Sequence, residues 1–150
     1  MEPIINKKVY HEYEIIEKFT AGIVLFGSEV KSIKSGNVKM DGSYAFLKNG
    51  EMFILNLFIP KYRFSNSAVD EKRTRKLLLR KKEIEKIAGK IQEKGLLIVP
   101  LKIFQWKNLI KIEIAIARRL KKWDKREKER KKEENIEIKR ALKSGKWLSY

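Results

Sequence analysis

The sequence predicts a mainly β fold, namely a closed antiparallel barrel of about six strands with flanking helices, followed by a basic tail. Strand-like segments recur through residues 1–117, and two helical segments lie between them. Residues 118–150 instead hold 14 Lys or Arg against six Asp or Glu, a net charge of +8. We therefore expect a barrel domain over residues 1–117 and a basic tail over residues 118–150.

The N-terminal part of the domain predicts a strand and a short helix. Tyr13–Thr20 is β-prone, and Ala21-Gly22 is expected to bend the chain before the short apolar run Ile23–Phe26. Ser28–Lys34 has a serine suited to cap a helix and two apolar residues three positions apart. Gly36 is expected to end this helix.

A β-hairpin follows. Tyr44–Lys48 and Met52–Ile59 are predicted as strands on either side of Asn49-Gly50, a pair that favours tight hairpin turns. Pro60 cannot donate a hydrogen bond to a sheet and is expected to end the second strand. Tyr62–Val69 is predicted as a loop because it is polar.

The second half predicts one long helix and two long strands. Arg73–Lys94 has leucines and isoleucines at helical spacing. Leu96–Trp106 and Leu109–Ala117 are predicted strands joined through a Lys-Asn pair, and isoleucines at alternate positions from 110 to 116 indicate a half-buried second strand. Four aromatic residues in strand patterns are expected in the core: Tyr44, Phe46, Phe53 and Phe104.

The composition restricts the possible functions. Lys plus Arg is 36 against 19 Asp plus Glu, the formal net charge is +17, there is no cysteine, and His11 is the single histidine. Disulfides and thiolate or multi-histidine metal sites are thereby excluded, although a carboxylate-only magnesium site stays open. No glycine-rich phosphate loop, signal peptide or membrane-spanning segment is recognisable. We expect a cytoplasmic, non-enzymatic protein without cofactor or metal, and a polyanionic partner such as nucleic acid.

The densest basic segment is Lys72–Lys82, which has seven Lys or Arg in eleven residues around three leucines. On a helix, or at a strand-to-helix junction, the leucines would anchor the segment while the cations face phosphates. The weaker alternative is a surface helix that is basic only because the whole protein is. Aromatic residues among the cations, including Trp106 and Trp123, are suited to stack on unpaired bases.

The segment 124–135 contains no apolar residue and therefore has no face to bury. We expect it to be disordered alone and helical when bound. The alternative, a solvated extension that keeps the domain soluble, has about equal weight on composition. The aromatic residues near the end, Trp147 and Tyr150, favour binding slightly.

The chain resembles the SmpB family, the bacterial partners of transfer-messenger RNA (tmRNA), from about Asn6 to about Lys143. Six blocks in order carry the resemblance: NKKVYHEYEI, AGIVLFGSEVKSIKSG, LKNGE, TRKLLLRKKEIEKIAGKIQEKG, VPLKIFQWKN and WDKRE.

The resemblance implies an OB-like barrel that binds the tRNA-like domain of tmRNA as a monomer. It implies a role in trans-translation, the rescue of stalled ribosomes, in which the barrel replaces an anticodon arm. The tail would enter the empty mRNA channel near the small-subunit decoding centre and form a helix there. Three alternatives are a generic OB-like protein that binds single-stranded nucleic acid, a basic structural component of the ribosome and, as the weakest, an enzyme whose activity on RNA or a nucleotide would depend on His11.

The basic cluster, the aromatic residues and the resemblance together give candidate site residues. The set expected to bind RNA is Gly22, Glu29, Lys31, Arg73, Arg75, Lys76, Leu78, Arg80, Trp106 and Asn108. The resemblance implies a second set, expected to contact the ribosome, which is His11, Lys121, Lys122, Asp124, Lys125, Arg126 and Arg130.

Four positions depart from the residues usual in the family. Thr20 stands where an acidic residue is common, and Lys39 and Gly42 stand where asparagine and aspartate are usual. Arg119 replaces a glycine that would act as the hinge of the tail, so another residue nearby would have to serve as the pivot. The role of Lys146 to Tyr150 is not predicted.

Overall fold

The computed structural model describes residues 1–64, 69–121, 126 and 130. The strands in these residues are β1 (Ile4–Ile5), β2 (Tyr13–Ile23), β3 (Tyr44–Lys48), β4 (Glu51–Leu55), β5 (Arg75–Leu78), β6 (Leu96–Trp106) and β7 (Leu109–Arg119). The helices are α1 (Lys7–Glu12), α2 (Gly27–Lys34) and α3 (Lys81–Lys90). None of these helices is long and apolar enough to cross a membrane.

The chain divides into two units, residues 1–119 and residues 120–150, and all the named elements belong to the first. The strand pairs are antiparallel. Their order is β1-β6-β3-β4-β5-β2-β7, and β7 pairs again with β6, so the six strands β2 to β7 close a barrel that β1 extends at one edge. The predicted mainly β, closed antiparallel barrel with flanking helices is confirmed.

Strand β7 lies between β2 and β6 and pairs with both along almost its whole length. The isoleucines at positions 110, 112, 114 and 116 are buried, as their period-2 spacing predicts. They pack inside the barrel with residues of every other barrel strand, and Ile33 of α2 and Ile87 of α3 join the same core. The two helices are therefore fixed to the barrel by buried apolar contacts.

A second, smaller core cluster attaches the N-terminus to the barrel. Val9 of α1 packs with Val99, Leu101, Ala115 and Ala117, which belong to β6 and β7. The short elements β1 and α1 were not predicted, because two residues and six residues are too few to show a clear period.

The predicted helix over Arg73–Lys94 is wrong in its first part, where β5 replaces it. Leu77 is the reason, because it pairs with Met52 on β4 and with Ile23 on β2 and so closes the sheet between these strands. This pairing outweighs the helix propensity of a lysine- and leucine-rich run.

Three other predicted boundaries also differ. Strand β2 continues through the predicted bend, since Gly22 pairs with residues on both neighbouring strands. Helix α2 begins at Gly27 rather than after a Ser28 cap, because the Glu29 carboxylate accepts the Phe26 backbone N–H at 2.8 Å. Strand β4 ends at Leu55, before a residue with a φ of 60° at position 56.

Candidate nucleic-acid interface

An open groove of about 850 Å³ lies on the outside of the barrel. This outer groove is lined by Lys18, Phe19, Thr20, Leu78, Leu79, Arg80, Glu83, Phe104, Trp106 and Lys111. It brings together three of the predicted RNA-binding residues, namely Leu78 at the end of β5, Arg80 at the start of α3 and Trp106 at the end of β6.

A row of four outward positions crosses the outer groove. Phe104 lies opposite Lys111, Lys111 opposite Gly22, and Gly22 opposite Leu78, on the neighbouring strands β6, β7, β2 and β5. Directly opposed residues share one face of a sheet. Gly22 has no side chain, and the Leu78 side chain packs over it, since a Cβ atom added at Gly22 would lie 3.3 Å from the Leu78 Cβ. The glycine therefore lets Leu78 lie close against β2.

The outer groove combines positive charge with exposed apolar surface. Three positively charged side chains line it, those of Lys18, Arg80 and Lys111, and one negatively charged side chain, that of Glu83. The Glu83 carboxylate accepts a hydrogen bond from the Arg80 backbone N–H at 3.1 Å. Leu78 is 52% exposed and Trp106 is 51% exposed. Cations attract phosphates and exposed rings stack on bases, so the outer groove has the chemistry of a nucleic-acid site.

The structure adds residues to the site that the sequence analysis missed, namely Lys18, Lys111 and Phe104. Phe104 was predicted in the core, but it is half-buried and lines the outer groove, with the Lys102 ammonium 5.2 Å from its ring centre. The alternation along β6 could have shown this, because Phe104 shares its parity with exposed Trp106. Tyr44, also predicted in the core, is 41% exposed.

Glu29, Arg73 and Arg75 lie outside the outer groove and form a cluster of ion pairs. Glu29 is 4% exposed and Arg75 is fully buried. One Glu29 oxygen accepts a hydrogen bond from Arg75 Nε at 2.6 Å and lies 2.5 Å from Arg75 Nη2 in an ion pair, and the other accepts one from Arg73 Nη2 at 2.5 Å. Arg75 also donates to the carbonyl oxygens of Leu57, Arg73 and Glu71 at 2.7, 3.1 and 3.1 Å.

Four hydrogen bonds and the ion pair with Glu29 engage all three guanidinium nitrogens of Arg75, and because the side chain is fully buried it is not accessible to a phosphate. The prediction that Arg75 and Glu29 touch RNA does not fit this geometry, and we assign them to positioning α2 and the chain before β5. Burial raises the pKa of Glu29, but hydrogen bonds from Arg73, the Phe26 backbone and Arg75 outweigh it and hold this pKa below its ordinary value. Burial lowers the pKa of Arg75, against the opposing effect of Glu29.

The remaining predicted residues are spread over the surface. The Lys31 ammonium lies 5.6 Å from the Tyr62 ring centre, and the Lys76 ammonium lies 3.3 Å from a Glu51 carboxylate oxygen. Three more predicted residues are exposed: Asn108 in the turn after Trp106, His11 in the last turn of α1, and Lys121 in the second unit.

The predicted ribosome-contact residues in the tail are only partly described. Arg126 and Arg130 are exposed. Lys122, Asp124 and Lys125 lie outside the described residues.

The structure shows where the four residues that differ from the usual family residues lie. Thr20 lines the outer groove, and Lys39 exchanges backbone hydrogen bonds with Phe58. Gly42 has a φ of 74°, a conformation that glycine adopts without strain. Arg119 pairs with Tyr13, so the chain is still part of the sheet at the position of the expected hinge glycine.

Comparison with known proteins identifies related chains. A family model described as SmpB protein matches residues 4–144. An SsrA-binding protein of Thermosipho africanus (strain TCF52B) is 48% identical over 92% of this chain and 94% of its own. Another, of Syntrophobacter fumaroxidans (strain DSM 10017 / MPOB), is 47% identical over 92% of this chain and 86% of its own.

A solved structure is similar in fold and in sequence. It is described as "tmRNA-SmpB: a journey to the center of the bacterial ribosome". The matched chain has a TM-score of 0.69 and is 40% identical, and the match covers 85% of this chain and 94% of that one.

Proposed function

Because the chain belongs to the SmpB protein family, we propose that it binds tmRNA and delivers it to stalled ribosomes in trans-translation. The relatives are named SsrA-binding proteins, and the similar solved structure is described as tmRNA-SmpB in connection with the bacterial ribosome. In this role the protein is a cytoplasmic adaptor without catalytic activity, and it acts as a monomer on the RNA.

The outer groove is the observation in this molecule that carries the proposal. Three cations, an exposed tryptophan and an exposed leucine surround one open volume. The strand register places Lys111 and Leu78 on either side of Gly22, so a cation and an exposed apolar side chain share one face of the sheet. A folded RNA domain that presents phosphates and unpaired bases together fits this surface better than a regular duplex, whose bases are stacked inside. The tRNA-like domain of tmRNA is such an RNA.

A competition experiment tests the proposed partner. We expect the protein to bind the isolated tRNA-like domain in preference to elongator tRNA and to an oligouridine, near physiological salt. The preference should persist as salt is raised, since shape and base recognition do not depend on counterion release as phosphate binding does. Equal affinity for all three RNAs would contradict the proposal and favour a generic single-strand binder.

We propose further that residues 118–150 act on the ribosome, where the tail enters the mRNA channel, and not in binding the tRNA-like domain. The described strand β7 ends at Arg119, so truncation after Ala117 would remove its last two paired residues. Truncation after Arg119 is therefore the cleaner variant. We expect it to bind the tRNA-like domain with wild-type affinity and to lose trans-translation activity in a reconstituted assay.

The far-ultraviolet circular dichroism and unfolding temperature of this truncated protein are the controls for folding. Loss of the fold, or a large loss of affinity for the tRNA-like domain, would show that the two-part organisation is wrong. Full rescue activity without the tail would contradict its proposed role on the ribosome.

A further inference from the structure

A second surface presents exposed aromatic rings beside cations, and it shares no residue with the outer groove. Phe26 is 53% exposed and Phe64 is 74% exposed. The Arg73 guanidinium carbon lies 4.3 Å from the centre of the Phe26 ring, and that of Arg63 lies 5.3 Å from the centre of the Phe64 ring. We propose that this surface stacks unpaired nucleobases of RNA. The Phe26–Phe64 surface consists of Phe26, Lys31, Tyr62, Arg63, Phe64 and Arg73.

The Phe26 half of this surface is held in place by a buried carboxylate. The same Glu29 oxygen accepts the Phe26 backbone N–H at 2.8 Å and Arg73 Nη2 at 2.5 Å. Arg73 Nη2 also donates to the Val24 carbonyl oxygen at 3.2 Å. The ring and its guanidinium are therefore stacked before any ligand binds, and a preorganised surface loses less entropy on binding.

The Phe64 half is joined to the same helix. The Phe64 ring contacts Tyr62 edge-on, with ring centres 5.6 Å apart at 70°, and the Lys31 ammonium of α2 lies 5.6 Å from the Tyr62 ring centre. The Ser32 hydroxyl of α2 donates to the Pro60 carbonyl oxygen at 2.6 Å. Helix α2 thus carries Phe26 at its N-terminal end and holds the segment with Tyr62 and Phe64 alongside.

Charge favours RNA over an apolar protein partner for this surface. Lys31, Arg63 and Arg73 each lie over one of its rings, and the carboxylate of Glu29 is neutralised by Arg75 as well as by Arg73. Rings that are more than half exposed are suited to stack on bases, and cations beside them are suited to hold the flanking phosphates. A purely apolar partner would have to cover these three cations and remove their water, which is unfavourable.

Strand β5 gives the distance between the two surfaces. Leu78, its last residue, lines the outer groove, and Arg73 lies two residues before its start. Five residues of extended chain cover about 16 Å. Single-stranded RNA that extends beyond the outer groove can therefore reach the Phe26–Phe64 surface. This inference rests on the proposed RNA-binding function but depends on different residues.

The test is carried out with the full-length protein and two separate variants, Phe26→Leu and Phe64→Leu. Affinity is measured for a fluorescent oligouridine at several salt concentrations. We expect each variant to bind at least about fivefold more weakly, because one base loses its stacking partner. The slope of log affinity against log salt should stay unchanged, since no cation is removed.

The matched control is Tyr44→Leu, which removes an aromatic ring that is 41% exposed and lies outside both surfaces. It should bind oligouridine like the wild type. Unfolding temperatures are compared for all variants, and Phe64→Leu carries the test if Phe26→Leu is poorly folded. An oligouridine with 4-thiouridine should also crosslink to peptides that contain Phe26 or Phe64.

Wild-type affinity in both phenylalanine variants, with crosslinks confined to Trp106 and Phe104, would overturn the inference. The exposed rings would then be better explained as a surface that binds another protein. This outcome is distinct from failure of the proposed function. That failure would show as absence of any preference for the tRNA-like domain in the wild-type protein, whatever the phenylalanine variants do.

Discussion

Replacing Glu29 by glutamine is expected to lower the free energy of unfolding by about 3–5 kcal/mol. Glu29 is 4% exposed and pairs with Arg73 and with fully buried Arg75. Glutamine keeps the shape of the side chain but removes the charge, so two neighbouring guanidinium groups lose their shared counterion. Chemical denaturation followed by tryptophan fluorescence and circular dichroism measures the loss.

The matched control is Glu51→Gln, which removes a carboxylate 3.3 Å from the Lys76 ammonium. Both side chains of this pair are about half exposed, at 51% and 42%, so the loss should stay below about 1 kcal/mol. Similar losses in the two variants would show that burial does not strengthen the Glu29 cluster.

The difference between wild type and Glu29→Gln should also depend on pH. The pKa of Glu29 is lowered in the folded protein, so the unfolded state binds a proton more readily as pH falls. The stability that Glu29 contributes is therefore complete above the pKa of the unfolded chain and is lost as pH falls through the lower folded pKa. The free-energy difference should be constant near neutral pH and shrink in acid. A difference that grows on acidification would contradict the assigned direction.

The second large effect is expected in RNA binding, when Arg80 and Lys111 are both changed to glutamine. Both cations line the outer groove, and charged hydrogen bonds of this kind contribute about 1.5–3 kcal/mol each. Affinity for the tRNA-like domain should fall on the order of a hundredfold at low salt. The slope of log affinity against log salt should decrease by about 2, because each substitution leaves one phosphate without its cation.

Lys48 and Lys94, two exposed residues outside the outer groove, give the control with the same change in net charge. Their change to glutamine should leave the salt slope nearly unaltered. If both double variants lose affinity equally, the total charge of +17 explains binding, and the outer groove has no special part in it.

Arg75 shows how the surroundings of a residue in the fold can differ from those that its sequence segment suggests. The sequence places it among seven cations in eleven residues, which suggests that it binds a phosphate. Its ion-pair partner Glu29 lies 46 positions away along the chain, and no local pattern indicates that the two meet. An Arg75→Ala change should therefore weaken RNA binding mainly by destabilising the fold.

The elements that could be predicted from the sequence are those whose structure is determined by neighbouring residues in the chain. The alternating isoleucines of β7 and the Asn49-Gly50 turn each specify their structure within a few residues. Strand β5 could not be predicted in this way, because Leu77 is placed by partners on β4 and β2. The outer groove depends on the same long-range register, which alone sets Phe104, Lys111 and Gly22 side by side.

The position of β7 between β2 and β6 also has a consequence for how the protein is made. The final strand of the barrel is the one that closes it, so β2 has no partner on that side until Leu109–Arg119 has been synthesised. The 96 positions from Ile23 to Arg119 take about 5–19 s at usual elongation rates. During that time the nascent chain has an unpaired strand edge and an incomplete core, which makes it vulnerable to aggregation. A chain whose synthesis stops before β7 therefore lacks the strand that closes the barrel.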